Sequence, residues 1–222
     1  VKTGAQCAPL QGVTNFEGCY KQNHDKGGTA VHIGCVVMAA GDARRFGENK
    51  LAAEFQGKSL IRRALEAVPA EKFHRVAVVT QYPEVEALAG TFGFTPVHNP
   101  HPDWGISHTI RLGLAHMEDC GAVLFQVSDQ PLLRRETVAA EVAFFLENPG
   151  HLVGLAHDGV RGNPCIFPAS YFPELLDLTE DHGGSSVIRR HEDNLLLFEA
   201  PARELEDADT RQALRDMGKR FV

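Results

Sequence analysis

The chain is missing several features that would assign it quickly. No stretch of its 222 residues approaches the ~20 consecutive apolar positions that a membrane-spanning helix needs, so no membrane role is expected. It has no excess of positive charge. With a net charge of −7 and a pI of about 5.9, it is not expected to bind nucleic acid, although a local basic pocket is compatible with that balance. Its amino end, VKTGAQCAPLQG, lacks the apolar centre of a signal peptide, and the expected location is cytoplasmic. Its five cysteines, Cys7, Cys19, Cys35, Cys120 and Cys165, include no C-x-x-C pair, and an odd number argues against a closed disulfide framework. Cys7, Cys19, His24 and His32 match no zinc spacing. The eleven histidines form no H-E-x-x-H array and read mostly as surface residues. Internal repeats and low-complexity segments are also absent.

What remains is an ordinary globular composition, 43% hydrophobic and 23% charged. Residues 1–33 are polar and aperiodic and read as a loosely ordered extension. From Ile33 the pattern is regular. Ile33 to Ala40 is a continuous apolar run with β-branched residues, which suits a parallel strand buried on both faces. Ser59 is placed to cap a helix carrying Leu60, Ile61, Ala64, Leu65 and Val68 on one face. Strands are expected at Val76–Thr80, Thr95–His98, Ala122–Val127, Leu152–Ala156, Cys165–Phe167 and Leu195–Phe198. Helices are expected from about Pro83, from Ser107, through Val138, Val142 and Phe145, and from Thr210. Cys35 and Cys165 fall in apolar strand-like runs and read as buried thiols. Strands alternating with helices over about 190 residues predict an α/β fold, a mostly parallel twisted sheet with helices on both faces. Such sheets bind ligands beyond the carboxyl ends of their strands.

Two loops at those ends stand out. Ala39-Ala40-Gly41-Asp42-Ala43-Arg44-Arg45-Phe46-Gly47-Glu48-Asn49-Lys50 combines small residues, which let the backbone approach a ligand, with three cations. Arginine binds phosphate in a bidentate fashion and lysine acts as a mobile point charge. Phosphate binding is the expectation, against a merely solvated basic turn. A dinucleotide fingerprint is excluded because Gly41 and Gly47 do not supply G-x-G-x-x-G. A P-loop is excluded because Gly57-Lys58-Ser59 has Ala52 at the first required glycine, so that tripeptide reads as a turn and helix cap. In Ser128-Asp129-Gln130-Pro131, Asp129 either holds Mg²⁺ or caps the next helix. Asp207 and Asp209 carry the same two alternatives. Ser107, at a helix start, either caps or meets a polar ligand group. Arg161-Gly162-Asn163-Pro164 and Asp181-His182-Gly183-Gly184-Ser185-Ser186 read as polar loops of the kind that line sites.

Taken in order, these segments resemble the molybdenum cofactor nucleotidyltransferase family. Met38-Ala39-Ala40-Gly41 through Arg45-Phe46-Gly47 and Lys50 is similar to L-A-A-G-x-S-x-R-M-G-x-x-K. Gly105-Ile106-Ser107 with Arg111-Leu112-Gly113-Leu114 is similar to G-x-S-x-S-[LI]-R-x-G-L, and Ser128 to Pro131 to the family's D-Q-P loop. Arg161 to Pro164 resembles its G-[NH]-P loop, Asp181 to Gly184 its G-D-x-G-[GA] loop, and Glu206 to Thr210 its D-I-D-T segment. The likeness spans about residues 34–218. It departs at Ala43, Phe46 and Thr109, and residues 1–33 have no counterpart in it.

The resemblance implies a Rossmann-like nucleotidyltransferase domain over residues 34–222, which transfers CMP from CTP to the terminal phosphate of molybdopterin or its molybdenum-loaded form. CTP is implied by Ala39-Ala40-Gly41, since guanylyl members carry A-G-G there. In this scheme Lys50, Arg45 and Asp129 are catalytic. Ala39, Ala40, Gly41, Arg45, Lys50, Ser107 and Asp129 bind the nucleotide. Asn163, Asp181, Gly183 and Gly184 bind the acceptor, and Asp129 with Asp209 holds Mg²⁺. The product would pass to a molybdoenzyme or its chaperone. The alternatives are a guanylyl or sugar-phosphate nucleotidyltransferase of the same fold, or a noncatalytic cofactor-binding chaperone.

Overall fold

A computed structural model describes residues 31–41 and 49–220. Residues 1–30 of the expected extension, with Cys7, Cys19 and His24, lie outside the described residues, as does 42–48 of the first loop, including Arg44 and Arg45.

Strand β1 (Ile33–Ala39) is the apolar run. After Lys50 a short hairpin, β2 (Glu54–Phe55) and β3 (Lys58–Ser59), turns on Gln56 and Gly57, and leads into α1 (Leu60–Glu66). The Ser59 side chain accepts from the Arg62 N–H at 3.3 Å, so the Gly57-Lys58-Ser59 segment is the expected turn and cap. There follow β4 (Arg75–Thr80), α2 (Pro83–Thr91), β5 (Thr95–His98), α3 (Ile106–Leu114), β6 (Ala122–Val127) and α4 (Arg135–Glu147). The remainder is β7 (Leu152–His157), β8 (Val160–Pro168), α5 (Phe172–Leu176), α6 (Gly184–Arg190), β9 (Leu195–Glu199) and α7 (Arg211–Lys219).

Seven strands form one sheet in the order β5-β4-β1-β6-β8-β7-β9. Every neighbouring pair is parallel except those involving β8, which runs against both β6 and β7. The cause is local. Asp158 and Gly159 have φ of 49° and 74°, and a two-residue turn with both values positive folds a strand straight back on its predecessor.

Alternation along the strands fills two cores. Cys35, Val37 and Leu124 face α1, α2 and α4 through Ile61, Leu65, Val85, Val138, Val142 and Phe145. Val36, Val123 and Phe125 face α3, α5 and α6 through Ile110, Leu114, Phe172 and Val187. Helices therefore cover both faces of a mostly parallel sheet, as expected. The buried thiols Cys35 and Cys165 are free, and burial pushes Cys165 up to about 12. No helix among the described residues is long and apolar enough to cross a membrane.

Two expectations need correction. Arg161-Gly162-Asn163-Pro164 is not a loop but lies within β8, where Arg161 pairs with Ala156 of β7 and residues 162–164 span the register shift before Cys165 pairs with Gly154. Gly184, Ser185 and Ser186 are the first turn of α6 rather than loop. A Cβ at Gly184 would lie 2.7 Å from Phe167 Cζ, so this glycine lets α6 seat on the sheet.

Candidate active site

The parallel strands end on one edge at Ala39, Thr80, His98 and Val127, and the reversed β8 begins at that same edge. The start of the first loop is gripped there by side chains from its neighbours. Ser128 Oγ donates to the Met38 carbonyl at 2.8 Å, Thr80 Oγ1 to Ala39 at 2.9 Å and Gln81 Nε2 to Ala40 at 3.0 Å. Tyr82 Oη donates to the Gly41 carbonyl at 3.3 Å. In a trans peptide the N–H points opposite to the carbonyl. Anchoring these oxygens therefore turns the N–H groups of Ala40 and Gly41 away from the β4 side chains. Thr80, Gln81 and Tyr82 were not singled out in the sequence, where nothing shows a polar end of β4 reaching across to β1.

Lys50 opens a 3₁₀ turn whose cap is Asn49, accepting from the Leu51 N–H at 3.1 Å, and buried Leu51 pins the turn to the core. The Lys50 ammonium donates to Asp129 Oδ2 at 3.0 Å and to Asp209 Oδ1 at 3.2 Å. Its side chain is only 16% exposed. Residues separated by 79 and 159 positions thus meet at one cation. The backbone locks them together, since the Ala208 N–H donates to the Asp129 carbonyl at 2.8 Å. Asp207 lies in the same group. Burial, then the Asp129 and Asp209 carboxylates, push it up to about 6, against the opposing pull of Gln130 and Lys50.

The capping alternatives are not realised. α4 starts at Arg135 with no side-chain cap, and α7 is capped by Thr210, which accepts from the Ala213 N–H at 3.0 Å. Ser107 does not cap α3 either. The cap position is Gly105, whose φ of 82° suits glycine, and the Ser107 N–H donates to the Glu180 carbonyl at 3.2 Å.

That contact draws the 179–183 segment against the start of α3. A Cβ at Gly105 would sit 2.7 Å from Asp181 Oδ1, and one at Gly183 would sit 3.4 Å from Ile106. Ser107, Asp181 and Gly183 are therefore neighbours. Asn163 is half-buried at the start of β8. Beside it Arg161, passed over as a site residue in the sequence, donates to Ser185 Oγ at 3.1 Å and has no carboxylate partner among the described residues. Among the described histidines His108 alone is buried, at 4% exposed.

The group around Lys50 sets one ammonium between two carboxylates, with the third carboxylate, Asp207, pushed up to about 6. Hard oxygen donors of this kind suit Mg²⁺ or a similar divalent ion. No group of three or more His, Cys, Asp or Glu side chains among the described residues is arranged to hold a metal by itself.

Comparison with known proteins agrees with this architecture. Residues 35–195 match the MobA-like NTP transferase domain. The chain is 25% identical over 200 residues to the purine catabolism protein PucB of Bacillus subtilis (strain 168), covering 84% of this chain and 96% of that protein. It has the fold of Rv0371c from Mycobacterium tuberculosis H37Rv, solved in complex with manganese, with a TM-score of 0.69 and 18% identity over 85% of this chain and 98% of that one. It likewise shares the fold of CMP:2-keto-3-deoxy-manno-octonic acid synthetase complexed with CTP, with a TM-score of 0.65 and 16% identity over 86% of this chain and 98% of that one. The chain belongs to the MobA-like NTP transferase family and is a nucleotidyltransferase.

Proposed function

We propose that the enzyme transfers CMP from CTP to the terminal phosphate of molybdopterin or its molybdenum-loaded form, releasing pyrophosphate. The observation that carries this reading is the Lys50 ammonium held between Asp129 and Asp209 beside the first loop. The backbone of Ala39, Ala40 and Gly41 and the side chain of Arg45 receive the triphosphate. Lys50 exchanges its carboxylate partners for the α-phosphate, where negative charge shifts during transfer. An oxygen of the acceptor phosphate forms a new bond to the α-phosphorus, and the bond from that phosphorus to the bridging oxygen of the β-phosphate breaks. No protein base is required, because a phosphate monoester is ionised near neutral pH. The residues position the two phosphates and stabilise charge.

Asp129 and Asp209, freed from Lys50, are the residues that would hold Mg²⁺, and their neighbour Asp207 adds to the negative charge that attracts it. The ion would neutralise the triphosphate charge. The complex of Rv0371c with manganese supports the use of a divalent ion. CTP in the synthetase complex supports a cytidine nucleotide, as does Ala39-Ala40-Gly41. Ser107 contributes to the nucleotide side. On the acceptor side stand Asn163, Asp181, Gly183, Gly184 and Arg161, which has no carboxylate partner among the described residues. The product then passes, in the cytoplasm, to a molybdoenzyme or its chaperone.

The test is pyrophosphate release with CTP and GTP against molybdopterin and a panel of sugar phosphates. Release with CTP and molybdopterin well above every other pair is expected. Equal kcat/KM for CTP and GTP would overturn the nucleotide assignment, and preference for a sugar phosphate would overturn the acceptor.

A further inference from the structure

A short 3₁₀ turn, Ala202–Leu205, leads from β9 toward Asp207 and Asp209, and within it is a buried carboxylate that the transfer step does not use. Glu204 is 1% exposed. Its Oε2 accepts from the Arg134 N–H at 3.2 Å and from the Thr137 hydroxyl at 2.5 Å. Its Oε1 lies 3.6 Å from Arg134 Nε. These donors all stand at the start of α4, which has no capping side chain in its own segment. A carboxylate from a distant part of the chain thus faces the positive end of that helix, where negative charge is stabilised.

This contact is the first of three ties between residues 204–209 and the chain from Asp129 to Thr137. Gln130, itself buried, donates from Nε2 to the Leu205 carbonyl at 3.3 Å. The Ala208 N–H donates to the Asp129 carbonyl at 2.8 Å. Ties are needed because residues 206–209 belong to no helix or strand. Asp209 depends on them most. Its side chain is 65% exposed and is held by the Lys50 ammonium at 3.2 Å. In the transfer scheme that ammonium turns to the α-phosphate, and the backbone ties then keep Asp209 across from Asp129. Closing α4 does not by itself call for Glu204. A serine, threonine, aspartate or asparagine at position 134 would serve the helix locally, without burying a charge.

We propose that Glu204 is a positioning residue for the divalent-ion site. It fastens the 204–209 segment to the start of α4, so that Asp209 stays opposite Asp129 when Lys50 leaves. It touches neither nucleotide nor acceptor and acts through Asp209. The inference rests on the reading in which Asp129 and Asp209 hold the ion. Its physical basis is preorganisation. Two carboxylates already in place lose little freedom on capturing a cation, whereas a loose Asp209 has to be ordered at the moment of binding, and that ordering weakens capture. Mg²⁺ also demands near-ideal ligand geometry, so a displaced carboxylate is a poor substitute for a fixed one.

The test is Mn²⁺ binding to the full chain without nucleotide, followed by the electron paramagnetic resonance of the free ion. The metal reading requires saturable binding by the parent and weaker binding by Asp209→Asn. Glu204→Ala should weaken Mn²⁺ by roughly 10-fold, as expected from the loss of order in about one backbone residue. Glu204→Gln keeps an acceptor oxygen for Arg134 and Thr137 and should recover most of the affinity. Val142→Ala truncates the core on the same helix, away from the ties. It should lower the melting temperature and leave Mn²⁺ affinity at the parent's value. Thr137→Val removes one donor to the same carboxylate oxygen and replaces Glu204→Ala should that variant fail to fold by circular dichroism; it too should bind Mn²⁺ more weakly. Unchanged affinity in the folded Glu204 or Thr137 variant, or an equal loss in Val142→Ala, overturns the proposal and leaves the metal reading standing. No saturable binding by the parent, or Asp209→Asn binding like the parent, overturns the metal reading and this proposal with it.

Discussion

Glu141 sits on α4 with no exposure at all, and neither carboxylate oxygen has a hydrogen-bond partner. Burial raises its pKa well above 4.5, and it faces the Cys35 thiol, whose own pKa it helps to raise. In the folded chain it is therefore a neutral acid at pH values where the unfolded chain carries a carboxylate. Unfolding then releases a proton, so stability is full below about 4.5 and falls as pH rises toward the folded-state pKa. The slope for one proton is about 1.4 kcal/mol per pH unit. Glu141→Gln removes the titration and keeps the shape. Glu141→Leu removes the unpaired polar atoms as well, and by the cost of leaving such groups unsatisfied it should stabilise by about 1–3 kcal/mol at neutral pH. Urea unfolding of the parent and both variants at pH 5, 6, 7 and 8 measures this. The parent should lose stability relative to Glu141→Gln as pH rises. Parallel curves for those two proteins, or a Leu variant less stable than the parent at pH 8, would refute the reasoning.

Three further expectations concern the site. Asp129→Asn should cut turnover by at least about 10² in a folded protein, and near-normal turnover would remove Asp129 from the site. Lys50→Ala should cost about 10²–10³ in turnover. It should also lower the melting temperature, with part of the loss recovered by added Mg²⁺, because Asp129, Asp207 and Asp209 are left without their cation; an unchanged melting temperature would contradict the ion-pair geometry. Arg161→Ala should raise KM for the acceptor about tenfold or more, the worth of one hydrogen bond to a charged group, and leave KM for CTP alone. A rise for CTP instead would place Arg161 on the wrong substrate.

The strands and longer helices were legible because each buries a periodic apolar set. Val138, Val142 and Phe145 define one face of α4 as plainly in the sequence as in the fold. Glu141 lies three residues after Val138 and four before Phe145, on that same face, and this spacing was the available signal for a buried acid. The motif segments located the ligand edge, and Lys50, Asp129 and Asp209 do meet there. Their meeting was not readable from spacing, since it depends on the Ala208–Asp129 backbone contact between distant segments. Nor does a loop of small residues show in its sequence that the Lys50 side chain will be only 16% exposed. The β2–β3 hairpin and α5 are too short to show a period. The strand character of Arg161–Pro164 was hidden by its glycine and proline, residues that punctuate loops more often than strands.

The reversal of β8 gives the protein a wall of adjustable height. Its turn projects past the sheet at the ligand edge, with Val160 72% exposed and the N–H groups of Asp158 and Gly159 donating to the Glu199 carboxylate. Neither core depends on that tip. Each residue added to both arms would extend the hairpin by about 3.3 Å beside Arg161 and Asn163. The Lys50–Asp129–Asp209 group, held by other segments, would stay where it is. Insertions at Asp158–Gly159 are thus a route to a different acceptor that leaves the phosphate chemistry in place.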